Sequence, residues 1–198
     1  MTDAYLQQSP LAHLHLQARP ETRDKGLVRL KELPFRSQFC LRGDDGDKTF
    51  RDGVESVLKL DVPVVANRVS GKPSGTHILW LGPDEWLINC GQKTVFDKLS
   101  KAVKNCHAAV VDVSDSRTIL ELSGTKACTV LMKGTPLDVD PAVFGPGQCA
   151  STVLEQAHVT LHHCSTLKNG SSRYHIYVHR SFADYLWRWL EDAMAEYT

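Results

Sequence analysis

HILWLGPDEWLIN, residues 77–89, is the stretch that decides the fold of this 198-residue chain. Two apolar runs, 77–81 and 85–89, flank Gly82-Pro83-Asp84, where the proline presets φ for a turn and the aspartate tolerates the next position. The stretch therefore predicts a β-hairpin. Nearly every residue of both runs is apolar, which is typical of strands that are covered on both faces. We expect another chain to provide part of that cover.

The elements predicted around this hairpin occur in one order, and that order then repeats. The first half has strands at 27–33 and 37–42, a helix at about 47–60, an extended segment at 64–69, the hairpin and a helix from residue 95. The second half has strands at 107–113 and 118–122, a short helix from 127, strands at 149–154, 158–164 and 173–179, and a helix at 181–197.

Both halves therefore follow the order β-β-α-β-β-β-α, which predicts an α+β fold built from a duplicated unit. Leu41-Arg42-Gly43 aligns with Leu122-Ser123-Gly124 at an offset of 81 residues. Because sequence identity between the halves is weak, the prediction rests on element order. We place the two related halves at 27–105 and 106–198 and expect them to share a core.

Residues 1–26 form a polar N-terminal arm that we expect to be partly extended. Leu11, Leu14 and Leu16 are too few to build a core of their own. Two interpretations stay open for the arm. It is either a frayed tail, or a segment that becomes ordered only on a partner, with the leucines as anchors.

The composition excludes several classes of protein. Lys and Arg number 23, as do Asp and Glu, so the formal net charge is zero. Binding to nucleic acid or to an anionic membrane needs an excess of Lys and Arg. No apolar run approaches the ~20 residues that cross a bilayer, and no signal peptide is evident. Six scattered cysteines without a CxxC pair indicate reduced thiols in a cytoplasmic protein.

The densest polar cluster beside an apolar strand runs from Asp112 to Arg117. Asp112, Asp115 and Arg117 fit an ordinary hairpin turn that bonds to its own backbone. The alternative is a charged anchor at a subunit or ligand surface, but short charged turns are the default on protein surfaces. The sequence contains no GxxxxGK[ST], GxGxxG after a strand, HExxH or GxSxG motif, so it gives no sign of a cofactor or a catalytic zinc held by this chain.

Four histidines are predicted to share one face of a strand pair. If 157–163 pairs with 173–179, His158 faces His179 and His162 faces His175. Such cross-strand pairs can share a metal, and they can equally be neutral polar residues with a modest pH sensitivity.

The last helix carries an apolar stripe that predicts its core-facing side. On a 100° wheel this stripe consists of Phe182, Leu186, Trp189, Leu190, Ala193 and Tyr197. Trp187 lies on the flank of the stripe, beside Ala183 and Met194. A tryptophan there is either a surface residue with its polar end in water or an anchor in a partner's pocket. Because tryptophan is enriched at interface anchors, we favour the anchor and expect Trp187 and Met194 to contact a partner. From the hairpin, Trp80 and Trp86 join them as candidates.

Five longer motifs, with Ser9-Pro10-Leu11 near the start, resemble the gamma subunits of heterotetrameric sarcosine oxidases. They are ILWLGPDEWLI at 78–88, VDVSDSRT at 111–118, GTPLD at 134–138, FGPGQC at 144–149 and RSFADYLWRWL at 180–190. The resemblance extends over nearly the whole chain.

The resemblance implies a fold like the folate-binding aminomethyltransferase, or glycine-cleavage T-protein, domain. It implies a complex with alpha, beta and delta subunits that oxidises sarcosine to glycine. The products are hydrogen peroxide and either formaldehyde or 5,10-methylenetetrahydrofolate. FAD, FMN, NAD, tetrahydrofolate and zinc would belong to the partner subunits. No catalytic, cofactor-binding or metal-binding residue transfers to this chain, which we expect to be a non-catalytic structural subunit.

Two other functions stay open from the residues alone. Fold does not dictate function, so the chain could act by itself as a folate-binding or aminomethyltransferase-like protein, with a buried carboxylate such as Asp112 or Asp115 in its pocket. It could also be a small metal-binding module built on the four histidines.

Overall fold

The computed structural model describes residues 8–16 and 27–197, and the predicted element order is confirmed. The strands are β1 Arg29–Glu32, β2 Ser37–Arg42, β3 Val69–Gly71, β4 His77–Gly82, β5 Glu85–Cys90, β6 Ala109–Asp112, β7 Arg117–Gly124, β8 Gln148–Leu154, β9 Ala157–Thr166 and β10 Ser172–His179. The helices are α1 Lys48–Leu58, α2 Val95–Ala102, α3 Ala127–Met132 and α4 Arg180–Met194.

The strands form two five-stranded sheets with the same layout. The first sheet has the order β1-β7-β10-β9-β8, and the second has the order β6-β2-β5-β4-β3. The two orders correspond strand by strand: β6 matches β1, β2 matches β7, β5 matches β10, β4 matches β9 and β3 matches β8. The chain is therefore a duplicated β-β-α-β-β-β-α unit, as the sequence predicts.

The first strand of each half lies in the sheet of the other half. β1 pairs with β7, and β6 pairs with β2. The compact units are therefore not the consecutive halves 27–105 and 106–198. Among the described residues, the first unit contains 8–16, 27–35, 115–146 and 151–197, and the second contains 36–114 and 147–150.

The second unit has its apolar core between the sheet and the helices α1 and α2. The Asp47 carboxylate caps α1 by accepting a hydrogen bond from the Thr49 N–H at 2.8 Å. Phe50, Val54 and Leu58 then recur every four residues and are buried. This core consists of Phe39, Leu41, Phe50, Val54, Leu58, Val62, Ile78, Trp86, Ile88, Cys90, Leu99 and Val103.

The predicted hairpin is present as β4 and β5, with Trp80 opposite Trp86. On one face Ile78 and Trp86 belong to the core, and on the other face Leu79 and Leu87 are also fully buried. Burial on both faces is therefore confirmed within this chain. The extended segment predicted at 64–69 is wrong in position, since β3 lies at Val69–Gly71, where it pairs with β4.

In the first unit, α3 and α4 pack against β7 and β10. The buried face of α4 consists of Ala183, Leu186, Trp187, Leu190, Ala193 and Met194. This differs from the predicted stripe, because Phe182 is 39% exposed. Relative to the predicted stripe, the buried face is rotated toward Trp187, since Ala183, Trp187 and Met194 are buried.

Part of the N-terminal arm packs against the first unit. Leu11 is 1% exposed, next to a 3-10 turn at Ala12–Leu14. The Ser9 hydroxyl donates to the Glu32 carboxylate at 2.6 Å, and His13 Nε2 lies 2.8 Å from Asp184 Oδ1. For residues 8–16, neither a frayed tail nor a segment ordered only by a partner is correct. Residues 1–7 and 17–26 of the predicted arm lie outside the described residues.

Among the helices of the described part of the chain, none is long and apolar enough to cross a membrane.

Candidate functional site

The predicted pairing of the histidine-bearing strands is confirmed. His175 on β10 lies opposite His162 on β9, and Ile176 lies opposite Leu161. His162 and His175 are buried, with ring centroids 5.8 Å apart and ring planes at 89°. The two imidazoles therefore meet edge to face within the first sheet.

The other two histidines lie in a different environment. His158 and His179 are both exposed, and Arg117 on β7 lies opposite His179. Burial, the Arg117 charge and, least of all, His158 lower the pKa of His179. The predicted set of four imidazoles is thus divided into one buried pair and one exposed pair.

A row of polar side chains continues from the buried pair across the first sheet. Lys31 lies opposite Glu121, Glu121 opposite His175, and His175 opposite His162. The Glu121 carboxylate is 3.0 Å from Lys31 Nζ and 3.2 Å from His175 Nε2. One direct cross-strand neighbour after another therefore carries an ionisable group.

Two opposed effects set the ionisation of this row. Burial alone would raise the pKa of Glu121, but hydrogen bonds from His175 and Lys31 outweigh it and lower that pKa to about 2. Next to His162, burial raises the pKa of the Cys164 thiol to about 12. The carboxylate is therefore ionised at neutral pH, and the thiol keeps its proton.

The fold itself does not require a polar row at this place. At the equivalent positions of the second sheet, Val111, Cys40, Leu87 and Leu79 lie opposite one another across β6, β2, β5 and β4. Glutamate and histidine are metal-ligand types, but the Glu121 oxygens are already engaged by Lys31 and His175. Lys31, Glu121 and His175 therefore form a hydrogen-bonded network, and His162 adds a ring contact with His175.

The polar cluster at the start of the second half forms a turn. The Asp112 carboxylate accepts hydrogen bonds from the Ser114 N–H at 3.0 Å and from its hydroxyl at 2.5 Å. The Asp115 carbonyl accepts from the Arg180 guanidinium at 3.1 Å. Asp112 and Asp115 are exposed and Arg117 is half-buried. Asp112 therefore bonds locally, as in the turn interpretation, and both carboxylates stay accessible.

Three of the predicted partner contacts are corrected by the structure. Trp86, Trp187 and Met194 are 0%, 5% and 8% exposed, so they pack inside this chain. The Trp86 indole also donates to the Pro63 carbonyl at 2.8 Å. These three side chains lie on the core-facing sides of their elements and leave little surface for a partner. Trp80 is half-buried.

The exposed apolar side chains lie elsewhere, and sequence reasoning missed them. Val111 on β6 is 53% exposed, Val65 is 61% exposed, and Phe182 and Tyr185 on α4 are about 40% exposed. For Val111, a comparison of the two halves could have shown that an apolar residue stands where the other half has a charged one. The strand equivalent to β6 in the first half is β1, which carries Arg29 and Lys31.

Comparison with known proteins gives one consistent family. The family model described as "Sarcosine oxidase, gamma subunit family" matches residues 42–196. The sarcosine oxidase subunit gamma of Corynebacterium sp. (strain U-96) is 32% identical over 195 residues, covering 98% of this chain and 92% of the relative. That of Arthrobacter sp is 31% identical over 193 residues, covering 97% of this chain and 92% of the relative.

Solved structures are similar in the same way. A chain of the heterotetrameric sarcosine oxidase from Corynebacterium sp. U-96, in complex with pyrrole 2-carboxylate, superposes with a TM-score of 0.86 at 32% identity. The match covers 97% of this chain and 96% of that chain. Aminomethyltransferase T of the glycine cleavage system from Bartonella henselae gives a TM-score of 0.65 at 14% identity, over 94% of this chain and 57% of that one. The second likeness confirms the T-protein-like fold.

Proposed function

This chain belongs to the sarcosine oxidase gamma subunit family, and on that premise we propose that it is the gamma-type subunit of a heterotetrameric sarcosine oxidase. The observation that carries the proposal is the match to a chain of a solved heterotetrameric sarcosine oxidase over 97% of this chain at 32% identity. The partners are the alpha, beta and delta subunits of that complex.

The complex oxidatively demethylates sarcosine to glycine, with hydrogen peroxide and either formaldehyde or 5,10-methylenetetrahydrofolate as products. FAD, FMN, NAD, tetrahydrofolate and zinc belong to the partner subunits, and this chain is non-catalytic. Support for that role comes from the ionisable groups of the first sheet. The Glu121 carboxylate is engaged by Lys31 and His175 within the chain, so it serves the fold rather than a reacting molecule.

We also propose a cytoplasmic location. All six cysteines lie in the described part of the chain, and none of them forms a disulfide there. Thiols of this kind are typical of a reducing compartment.

Affinity purification of the tagged chain from its native source tests the proposed function. We expect larger flavin-bearing chains to co-purify in fixed ratio and the preparation to form hydrogen peroxide when sarcosine is added. The isolated recombinant chain serves as the control and should be colourless and inactive. Purification without partners would contradict the proposal.

The isolated chain also tests the alternative function. Turnover of sarcosine or binding of tetrahydrofolate by the chain alone would favour a folate-binding or aminomethyltransferase-like protein and would overturn a structural role.

A further inference from the structure

Strand β6 forms an open edge of the second sheet. Among the described residues its strand neighbour is β2, on one side only. Just beyond the strand, the Val113 N–H donates to the Gln38 carbonyl at 2.9 Å. Because hydrogen-bonded and non-bonded pairs alternate in an antiparallel ladder, Ala109 and Val111 bond to β2, whereas Val110 presents its N–H and C=O to the open edge.

The charged side chain of β6, Asp112, lies at the end of the strand, where its carboxylate is bonded to Ser114, and the exposed side chains before it are uncharged. Ala109 is exposed, and Val111 is 53% exposed. Natural proteins protect open edges with charged side chains, above all lysine, because unpaired backbone groups are a template for an added strand. β6 carries no charge at these two positions.

The equivalent edge of the first sheet is protected in this way. β1 carries Arg29 and Lys31, and Lys31 lies opposite Glu121 just as Val111 lies opposite Cys40. Residues 40 and 121 correspond in the aligned halves, so Lys31 and Val111 occupy equivalent places. The same fold position is thus charged on one edge and apolar on the other, and the difference comes from the sequence rather than the topology.

We propose that β6 is a docking edge that accepts an extended strand from another subunit of the complex. The inference rests on the proposed function. Unpaired backbone donors and acceptors select an extended segment, and Val111 selects an apolar side chain opposite it. A heterotetramer of four different subunits holds one copy of this chain, so the added strand comes from a different chain.

The test is co-expression of this chain with the other three subunits, with Val111→Lys compared against Val65→Lys. Both changes add a charge at an exposed valine of the second unit, so neither should affect folding. We expect Val111→Lys to lower co-elution with the other subunits about tenfold or more, whereas Val65→Lys co-elutes like the wild type. The melting temperature of each isolated chain confirms folding.

A second pair of variants tests the backbone. Val110→Pro removes the outward N–H of β6 without removing a bond to β2, and Leu30→Pro does the same at the equivalent place on β1. Only Val110→Pro should lose assembly. If either proline variant fails to fold, the Val111→Lys comparison decides.

The possible outcomes separate this inference from the proposed function. Normal assembly of Val111→Lys alongside a wild-type complex overturns the docking edge and leaves the proposed function intact. Failure of the wild type to assemble counts against the proposed function itself. A wild-type homodimer that Val111→Lys abolishes would overturn the proposal, because the occupant would be a second copy.

Discussion

At Glu121, two opposed effects determine how a single residue contributes to stability. Burial opposes ionisation, and the hydrogen bonds from His175 and Lys31 favour it more strongly, so its pKa falls from 4.5 to about 2. A folded-state pKa below the unfolded value means that the ionised group stabilises the fold above pH 4.5. This contribution is lost as the pH falls from about 4.5 toward 2.

We predict that Glu121→Gln removes this pH-dependent contribution. The variant should be less stable at neutral pH by on the order of 3 kcal/mol, because the pKa of Glu121 falls from 4.5 to about 2 and one pKa unit corresponds to about 1.4 kcal/mol. Its free energy of unfolding should also change less between pH 4.5 and 2 than that of the wild type. Denaturant titrations at a series of pH values measure both effects.

Lys31→Met is the matched variant for this prediction. It removes one of the two groups that lower the pKa of Glu121, so the acid-induced loss of stability below pH 4.5 should be smaller than in the wild type and should end at a higher pH. If Glu121→Gln keeps the pH dependence of the wild type, the ion-pair row does not control acid stability.

At Trp187, we predict that shortening the side chain lowers the stability of the folded chain. Because the side chain is 5% exposed, Trp187→Ala should lower the free energy of unfolding of the isolated chain by about 3–5 kcal/mol. Urea denaturation followed by circular dichroism measures this loss.

Trp187→Phe is the control, since it keeps an aromatic ring in the core. The indole Nε1 has no hydrogen-bond partner in the described structure, so the phenylalanine variant gives up packing without losing a bond. Its loss should be well below that of the alanine variant. If Trp187→Ala is as stable as the wild type but assembles poorly with the other subunits, Trp187 contacts a partner and our interpretation is wrong.

At the scale of elements, the segment 8–16 is held by contacts that are distant in sequence. Leu11 is buried in the first unit, and Ser9 and His13 bond to Glu32 on β1 and Asp184 on α4. The sequence of the segment shows three leucines among polar residues. It does not show that one of them has a place in the chain's own core.

We predict that Leu11→Ala costs about 2–4 kcal/mol of stability in the isolated chain, because it removes a fully buried side chain. Leu16→Ala, at a half-buried position of the same segment, should cost clearly less. Thermal and urea unfolding of both variants provide the comparison. Equal, small losses would mean that the segment contributes little to the folded state.

Helices and strands with a clear local sequence pattern could be predicted. The rotation of a helix about its own axis, which decides which side chains are buried, could not. The hairpin around Pro83 and the pairing of His162 with His175 follow from turn chemistry and from the two-residue period of strands. The orientation of α4 is set by its packing against β7 and β10, and a helical wheel contains no such tertiary contacts. The helical wheel therefore predicts Trp187 at the edge of the apolar stripe, whereas the folded chain buries it.

At the scale of the whole molecule, the duplication is visible in the sequence but the exchange of first strands is not. The order β-β-α-β-β-β-α repeats along the chain, whereas strand pairing is a long-range property. β1 and β7 are joined only in the folded sheet, where Leu30 lies opposite Leu122. The polar row from Lys31 to His162 depends on this exchange, so it could not be assembled from the sequence of one half.

The exchange predicts which fragment of the chain can fold. Fragment 36–114 contains all five strands of the second sheet together with α1 and α2, whereas fragment 27–105, of equal length, lacks β6 and carries β1 without its partner β7. We expect 36–114 to unfold cooperatively and to give a dispersed NMR spectrum, because it can complete its sheet and its core around Phe39 and Trp86. Fragment 27–105 should melt at a lower temperature and without a sharp transition. If instead 27–105 folds as well as 36–114, β6 is dispensable to the second sheet, and the consecutive halves are the folding units after all.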